Sequence, residues 1–264
     1  MNSLEGDYAA TVAADRTGRF LPGTSIEILQ EVDVTSRPEH ALFDFDGTLS
    51  LIREGWPEVM IPMMVEILLQ TETSETPDEL RRIVEKFVME LTGKQTVYQM
   101  LRLAEEIRLR GGTPKEPLEY KNLYHDRLME RIRSRREDLR SGAVSPESML
   151  VPHSFEILRN LRSRNVQLYI ASGTDERYVK EEAELLGLVE FFGDRIYGAV
   201  DDYRTFSKAQ VIARITESNK VEGSKLLGFG DGYVEIQNIK EGGGLAVAVA
   251  SDEAGRTGKP DAWK

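Results

Sequence analysis

Apolar positions along the chain keep two different rhythms, and the changes between them mark its parts. "ALFDF" (residues 41–45) is a short continuous apolar run that enters a Gly turn, as a buried strand does. From about Gly55 to Arg140 the apolar residues recur every three or four positions instead. In "TPDELRRIVEKFVMEL", Thr76 is the expected N-cap, Pro77 the first helical residue, and Glu79 completes a capping box. Leu80, Ile83, Val84, Phe87, Val88 and Leu91 then trace one helical face. "TVYQMLRLAEEIRLRGG" repeats the logic and stops at Gly111. "PEVMIPMMVEILLQ" and "PLEYKNLYHDRLMERIRSRRE" also read as helices, so this region is expected to be a bundle of about four helices without strands.

After Pro152 helical and strand-like segments alternate. "HSFEILRNLRSR" leads to "VQLYIAS", "ERYVKEEAELLG" to "RIYGAV", "SKAQVIARITES" to "KLLGFG", and "YVEIQNIK" to "LAVAVAS". Such alternation means a parallel sheet covered by helices on both faces, an α/β fold. "ALFDF" belongs to the same sheet, and the helical bundle is an insertion after it. The expected organisation is a lead-in over 1–38 joined to the core, a core over 39–54 and 141–264, and the helical insertion over 55–140. A short strand or irregular segment is expected around Ile26 to Val34, and the polar tail "GRTGKPDAWK" follows the last strand.

Composition narrows the function. A net charge of −11 argues against nucleic acid as a main partner, because phosphate backbones need surplus Lys and Arg. With no cysteine, thiolate chemistry and disulfides are excluded, and a reducing compartment is compatible. The first twenty residues show no charged-then-apolar signal pattern, and no apolar stretch reaches membrane-spanning length. A cytoplasmic protein without membrane contact is the plain expectation.

Candidate chemistry gathers at the carboxyl ends of the expected strands, where ligands bind in open parallel sheets. Asp44 and Asp46 end the first strand, Ser172-Gly173-Thr174 the second and Gly230-Asp231-Gly232 a later one, while Lys208 opens a helix. Two aspartates one residue apart repel each other unless something offsets the charge. Mg²⁺ supplies that offset, since it takes one or two carboxylates with water and phosphate completing its shell. Asp44, Asp231 and the main-chain carbonyl of Asp46 form a candidate ligand set, with Glu235 one helical turn further on. In extended backbone, residues two apart project to one side. Asp44 can then attack phosphorus as a nucleophile, and Asp46 can serve as the acid and then the base. Lys208 can neutralise both nucleophile and phosphate, and Ser172 with nearby main-chain N–H groups can hold phosphate oxygens.

These residues resemble the motifs of the haloacid dehalogenase-like (HAD) superfamily of phosphohydrolases. "DFDGT" (Asp44 to Thr48) is similar to its first motif, Ser172 in "YIASGT" to its second, Lys208 in "TFSKAQVI" to its third, and "GDGYVE" to its fourth. The resemblance runs from about residue 38 to 251 in the family's order. It implies a Rossmann-like core, Mg²⁺ dependence, an inserted helical cap, and Thr48 and Gly173 beside Ser172 in phosphate binding. The dehalogenase branch lacks the second aspartate of the first motif, so Asp46 implies phosphoryl transfer. Glu235 stands where many members have Asp.

In the resembled family a cap loop contacts the substrate, which makes Lys94 in "TGKQT" a candidate for recognition. The three histidines show no ligand spacing, "RIRSRRE" reads as a solvated helix face at the hinge, and "EGGGL" as a helix stop. The expected activity is Mg²⁺-dependent hydrolysis of a small phosphorylated metabolite such as a sugar phosphate. A phosphomutase with the same covalent chemistry, or a non-catalytic module on this fold, stays open from sequence.

Overall fold

The computed structural model describes residues 18–30, 36–200, 202, 205–219 and 222–251. Two short strands, β1 (Arg19–Phe20) and β2 (Glu27–Ile28), pair antiparallel ahead of the main sheet. The strand expected around Ile26 to Val34 is thus two residues long where it is described; residues 31–35 and the tail after Ser251 lie outside the described residues.

β3 (His40–Phe43) is the expected first core strand, and all four of its residues are buried. Among the described residues five helices follow it: α1 (Pro57–Leu68), α2 (Pro77–Glu90), α3 (Thr96–Leu109), α4 (Pro117–Arg131) and α5 (Arg133–Ser141). The capping box at Thr76 and Glu79 forms as expected, a feature whose loss costs about 1 kcal/mol. About four helices were expected; the last run breaks in two at Ile132, whose φ of −98° and ψ of 5° end α4 and open α5. Ile132 is fully buried, and the break lets α5 turn its arginines onto the rest of the molecule. Arg136 pairs with Glu181 at 2.5 Å, and Arg135 donates to the carbonyls of Ile52 and Glu54 at 2.8 and 2.7 Å. The face expected to be solvated is therefore partly a set of ties.

The chain then builds α6 (Ser154–Ser163), β4 (Gln167–Asp175), α7 (Glu176–Leu185), a one-turn α8 (Val189–Phe192), β5 (Ile196–Ala199), α9 (Lys208–Asn219), β6 (Leu226–Gly230), α10 (Tyr233–Glu241) and β7 (Leu245–Ala248). The sheet order is β5-β4-β3-β6-β7, and every pairing is parallel. β3 is central, which explains its continuous apolar run. Ala41 and Phe43 face one side with Leu168 and Ile170; Leu42 faces the other with Tyr169, Val211 and Ile239. The first of these clusters continues without a break through Phe45 and Ile52 into Met60, Leu103 and Leu128 of the inserted helices.

The chain leaves and re-joins the core side by side. Leu51 N–H donates to Met149 O at 2.8 Å and Val151 N–H to Leu49 O at 2.9 Å, with Ser50 and Leu150 opposite each other. Among the described residues no helix is long and apolar enough to cross a membrane.

Candidate active site

The site begins where the central ladder runs out. Asp44 N–H donates to Phe229 O at 2.9 Å, prolonging the β3–β6 pairing by one residue. Its own Oδ1 accepts from the N–H of Phe45 at 2.8 Å. Phe45 is fully buried and its carbonyl accepts from the N–H groups of Leu49 and Ser50, closing a tight turn. Gly47 sits in that turn at a φ of 73°, where a side chain would be strained. With Phe45 anchored below, Asp44 and Asp46 both face one cavity of about 80 Å³.

β4 delivers the second group differently from expectation. Ser172, Gly173 and Thr174 were read as lying beyond a strand end, but β4 continues to Asp175. The register passes from Ala171 opposite Tyr197 to Asp175 opposite Ala199, so three residues face one. This bulge re-aims the side chains, as bulges beside sites do. Ser172 and Gly173 line the cavity, and Thr174 Oγ1 donates to Asp46 Oδ2 at 2.7 Å. Lys208, the first residue of α9, places Nζ 3.0 Å from Asp44 Oδ1 and in contact with Glu235 Oε1. Asp231 lines the same cavity from the end of β6.

Two expected residues sit behind the cavity wall and do not line it. Thr48 Oγ1 donates to Asp231 Oδ1 at 3.2 Å, bracing the first motif against the fourth. Glu235 is buried against Lys208, and its Oε2 has no hydrogen-bond partner. Lys94 does line the cavity, within the loop joining α2 to α3. That loop lies hard against the core: a Cβ on Gly173 would come within 2.5 Å of Lys94 O. Gln95 Nε2 also donates to Phe206 O at 2.7 Å.

Charge is crowded here. Burial, reinforced by the neighbouring Asp44 carboxylate, pushes Asp231 up to about 8. Burial likewise raises Asp46 to about 6, with the Arg53 guanidinium opposing and Glu182 and Asp44 adding to the rise. Two buried carboxylates that resist ionisation together are what a dication relieves. Among the described residues no three His, Asp or Glu side chains converge into a cage. Mg²⁺ needs no such cage, because one or two carboxylates with main-chain oxygen, water and phosphate complete its shell. The donors present fit it.

The family model of haloacid dehalogenase-like hydrolases matches residues 38–243. The chain belongs to that family. No curated protein matches this hydrolase in sequence. Solved structures share its fold. A predicted phosphoglycolate phosphatase from Haemophilus somnus is 15% identical with a TM-score of 0.53, covering 81% of this chain and 86% of its own. A beta-phosphoglucomutase from Clostridium difficile is 13% identical with a TM-score of 0.55, covering 80% and 84%. A family IA HAD hydrolase from Entamoeba histolytica is 19% identical with a TM-score of 0.52, covering 80% and 83%.

Several residues of this hydrolase's cavity escaped the sequence reading. Trp56, Met60 and Tyr124 form an apolar wall on the inserted side, and Arg53 stands beside Asp46. Arg53 is buried, and its partner Glu182 is far away in sequence, so no local pattern pairs them. Burial opposes its charge, but Glu182 and then Asp46 outweigh that and raise the guanidinium above its ordinary value.

Proposed function

We propose that this hydrolase is a Mg²⁺-dependent phosphatase of small phosphomonoesters, a sugar phosphate or similar metabolite, working through an aspartyl-phosphate. The observation that carries the reading is the grouping of Asp44, Asp46, Ser172, Lys208 and Asp231 around one small cavity, with Lys208 Nζ 3.0 Å from Asp44 Oδ1. Lys208 pairs with Asp44 and offers its charge to the incoming phosphate. An oxygen of Asp44 attacks phosphorus, and the bond from phosphorus to the leaving oxygen breaks. Asp46, raised to about 6, gives its proton to that oxygen. The resulting Asp46 carboxylate takes a proton from water, which attacks phosphorus and breaks the bond to Asp44. Ser172 and the main-chain N–H of Gly173 hold phosphate oxygens. Asp44, Asp231 and the Asp46 carbonyl would hold Mg²⁺ with Glu235 beside them, and the bound cation supplies charge neutralisation.

The helices of residues 55–140 act as a cap, and Lys94 reaches the substrate from it. Trp56, Met60 and Tyr124 limit what the cavity admits, which favours small leaving groups. An Asp44→Asn protein is expected to lose turnover of 4-nitrophenyl phosphate with Mg²⁺ by several orders of magnitude and to keep its circular dichroism. Wild-type turnover by that variant would remove Asp44 as nucleophile. Product analysis with a sugar 1-phosphate should give inorganic phosphate; isomerised sugar phosphate would mark a mutase instead.

A further inference from the structure

Among the described residues, Arg53 is the one cation paired with Asp46, and it is held rigidly. Glu182 grips it through two hydrogen bonds, Nε to Oε2 and Nη2 to Oε1, both 2.9 Å. Glu182 is fully buried and Arg53 is 4% exposed. The Tyr178 ring lies 5.4 Å from the guanidinium carbon. A forked, buried, stacked guanidinium has little freedom left. Its second acidic neighbour is Asp46, whose Oδ1 is 3.7 Å from Arg53 Nε. That Oδ1 has no hydrogen-bond partner, while Oδ2 accepts from Thr174. One carboxylate oxygen is therefore tied and the other faces a fixed cation, which defines the plane of the group.

We propose that Arg53, clamped by Glu182, is a positioning residue that orients the Asp46 carboxyl for proton transfer to the leaving oxygen and from the attacking water. This role rests on the phosphatase reading above, in which Asp46 is the acid and base. The proton leaves Asp46 as the bond from phosphorus to the leaving oxygen breaks and the bond from phosphorus to Asp44 forms. Glu182 does not line the cavity, so it acts on the chemistry without touching the substrate.

The dependence on leaving group separates this role from a structural one. Phenyl phosphate releases a basic phenolate that needs the proton, whereas 4-nitrophenyl phosphate releases a stable anion that scarcely does. With Mg²⁺, Glu182→Gln should lower kcat/KM, which reports the steps through departure of the leaving group and not the later hydrolysis common to both substrates, by about tenfold or more on phenyl phosphate, a share of the ~10²–10⁴ that proton transfer supplies, and change it on 4-nitrophenyl phosphate by no more than about twofold. Arg53→Lys, which keeps the charge and loses the fork, should show a weaker form of the same bias. The double variant Arg53→Met/Glu182→Met removes the buried Arg53–Glu182 pair as a unit, so it reads the same bias if the single variant does not fold. An equal fall in kcat/KM on both substrates, or no fall on either, overturns the positioning role. A wild-type protein that releases phosphate from neither substrate overturns the phosphatase reading and this role with it.

Discussion

His125 lies on α4 with 2% of its surface exposed and neither ring nitrogen hydrogen-bonded. Burial, with Arg53, Lys121 and Arg177 nearby, lowers its pKa to about 3. Asp175 is 3.7 Å from Nδ1, but Lys121 already neutralises it at 2.5 Å, so it does not rescue the charged imidazole. The folded chain thus binds this proton more weakly than the unfolded chain. Stability from His125 is fully present above its ordinary value of 6.5 and is lost as pH falls from there towards about 3. Replacing it with Phe should flatten the acid side of the stability curve by up to about 1.4 kcal/mol per pH unit between about pH 6 and 4. Urea unfolding at stepped pH measures this, and an unchanged slope would refute it. At this scale the sequence was readable where chemistry clusters locally: Asp44, Asp46 and Asp231 each stand in a Gly-containing turn beside an apolar run. Arg53 and Glu182 were not, because a pair joined only by tertiary packing leaves no periodic trace.

Among the elements, the α2–α3 loop depends most on its neighbours. It rests on the bulged part of β4 with Gly173 beneath Lys94 O, and backbone meets backbone with no flexible side chain to give way. Gly173→Ala should push this loop off the strand and lower kcat/KM by about tenfold to a hundredfold, as misplacement near 1 Å does elsewhere. Steady-state kinetics with 4-nitrophenyl phosphate decides it, and full activity would show that the loop tolerates the shift. The pattern of apolar positions located each core strand and most helices, since a buried face must repeat with the element's own period. It missed the break at Ile132 because Leu128, Ile132 and Leu139 keep nearly helical spacing across it. The bulge of β4 was hidden too, for Ser-Gly-Thr reads as a turn until a partner strand extends the pairing.

At the scale of the whole molecule, one buried ion pair among the described residues joins the inserted helices to the core sheet. Lys121 on α4 meets Asp175 at the end of β4, and both are less than a tenth exposed. Lys121→Met leaves Asp175 buried and uncompensated, at an expected cost of about 3–5 kcal/mol. Lys121→Met/Asp175→Leu should recover most of that, since neither charge remains to be desolvated. Denaturant unfolding of the two variants and the wild type measures both changes; a double variant as weak as the single one would mean that packing, not charge, holds the junction. The paired crossings at Leu49–Leu51 and Met149–Val151 have a different consequence. Ser50 and Leu150 form a non-hydrogen-bonded antiparallel pair flanked by those two bonds, a type whose Cα atoms stand about 4.5 Å apart, so the core presents its insertion point as a socket of fixed width. Whatever length of chain is spliced there, the sheet sees the same two ends. The architecture is modular: an insertion of a different size fits above the same sheet without moving a strand.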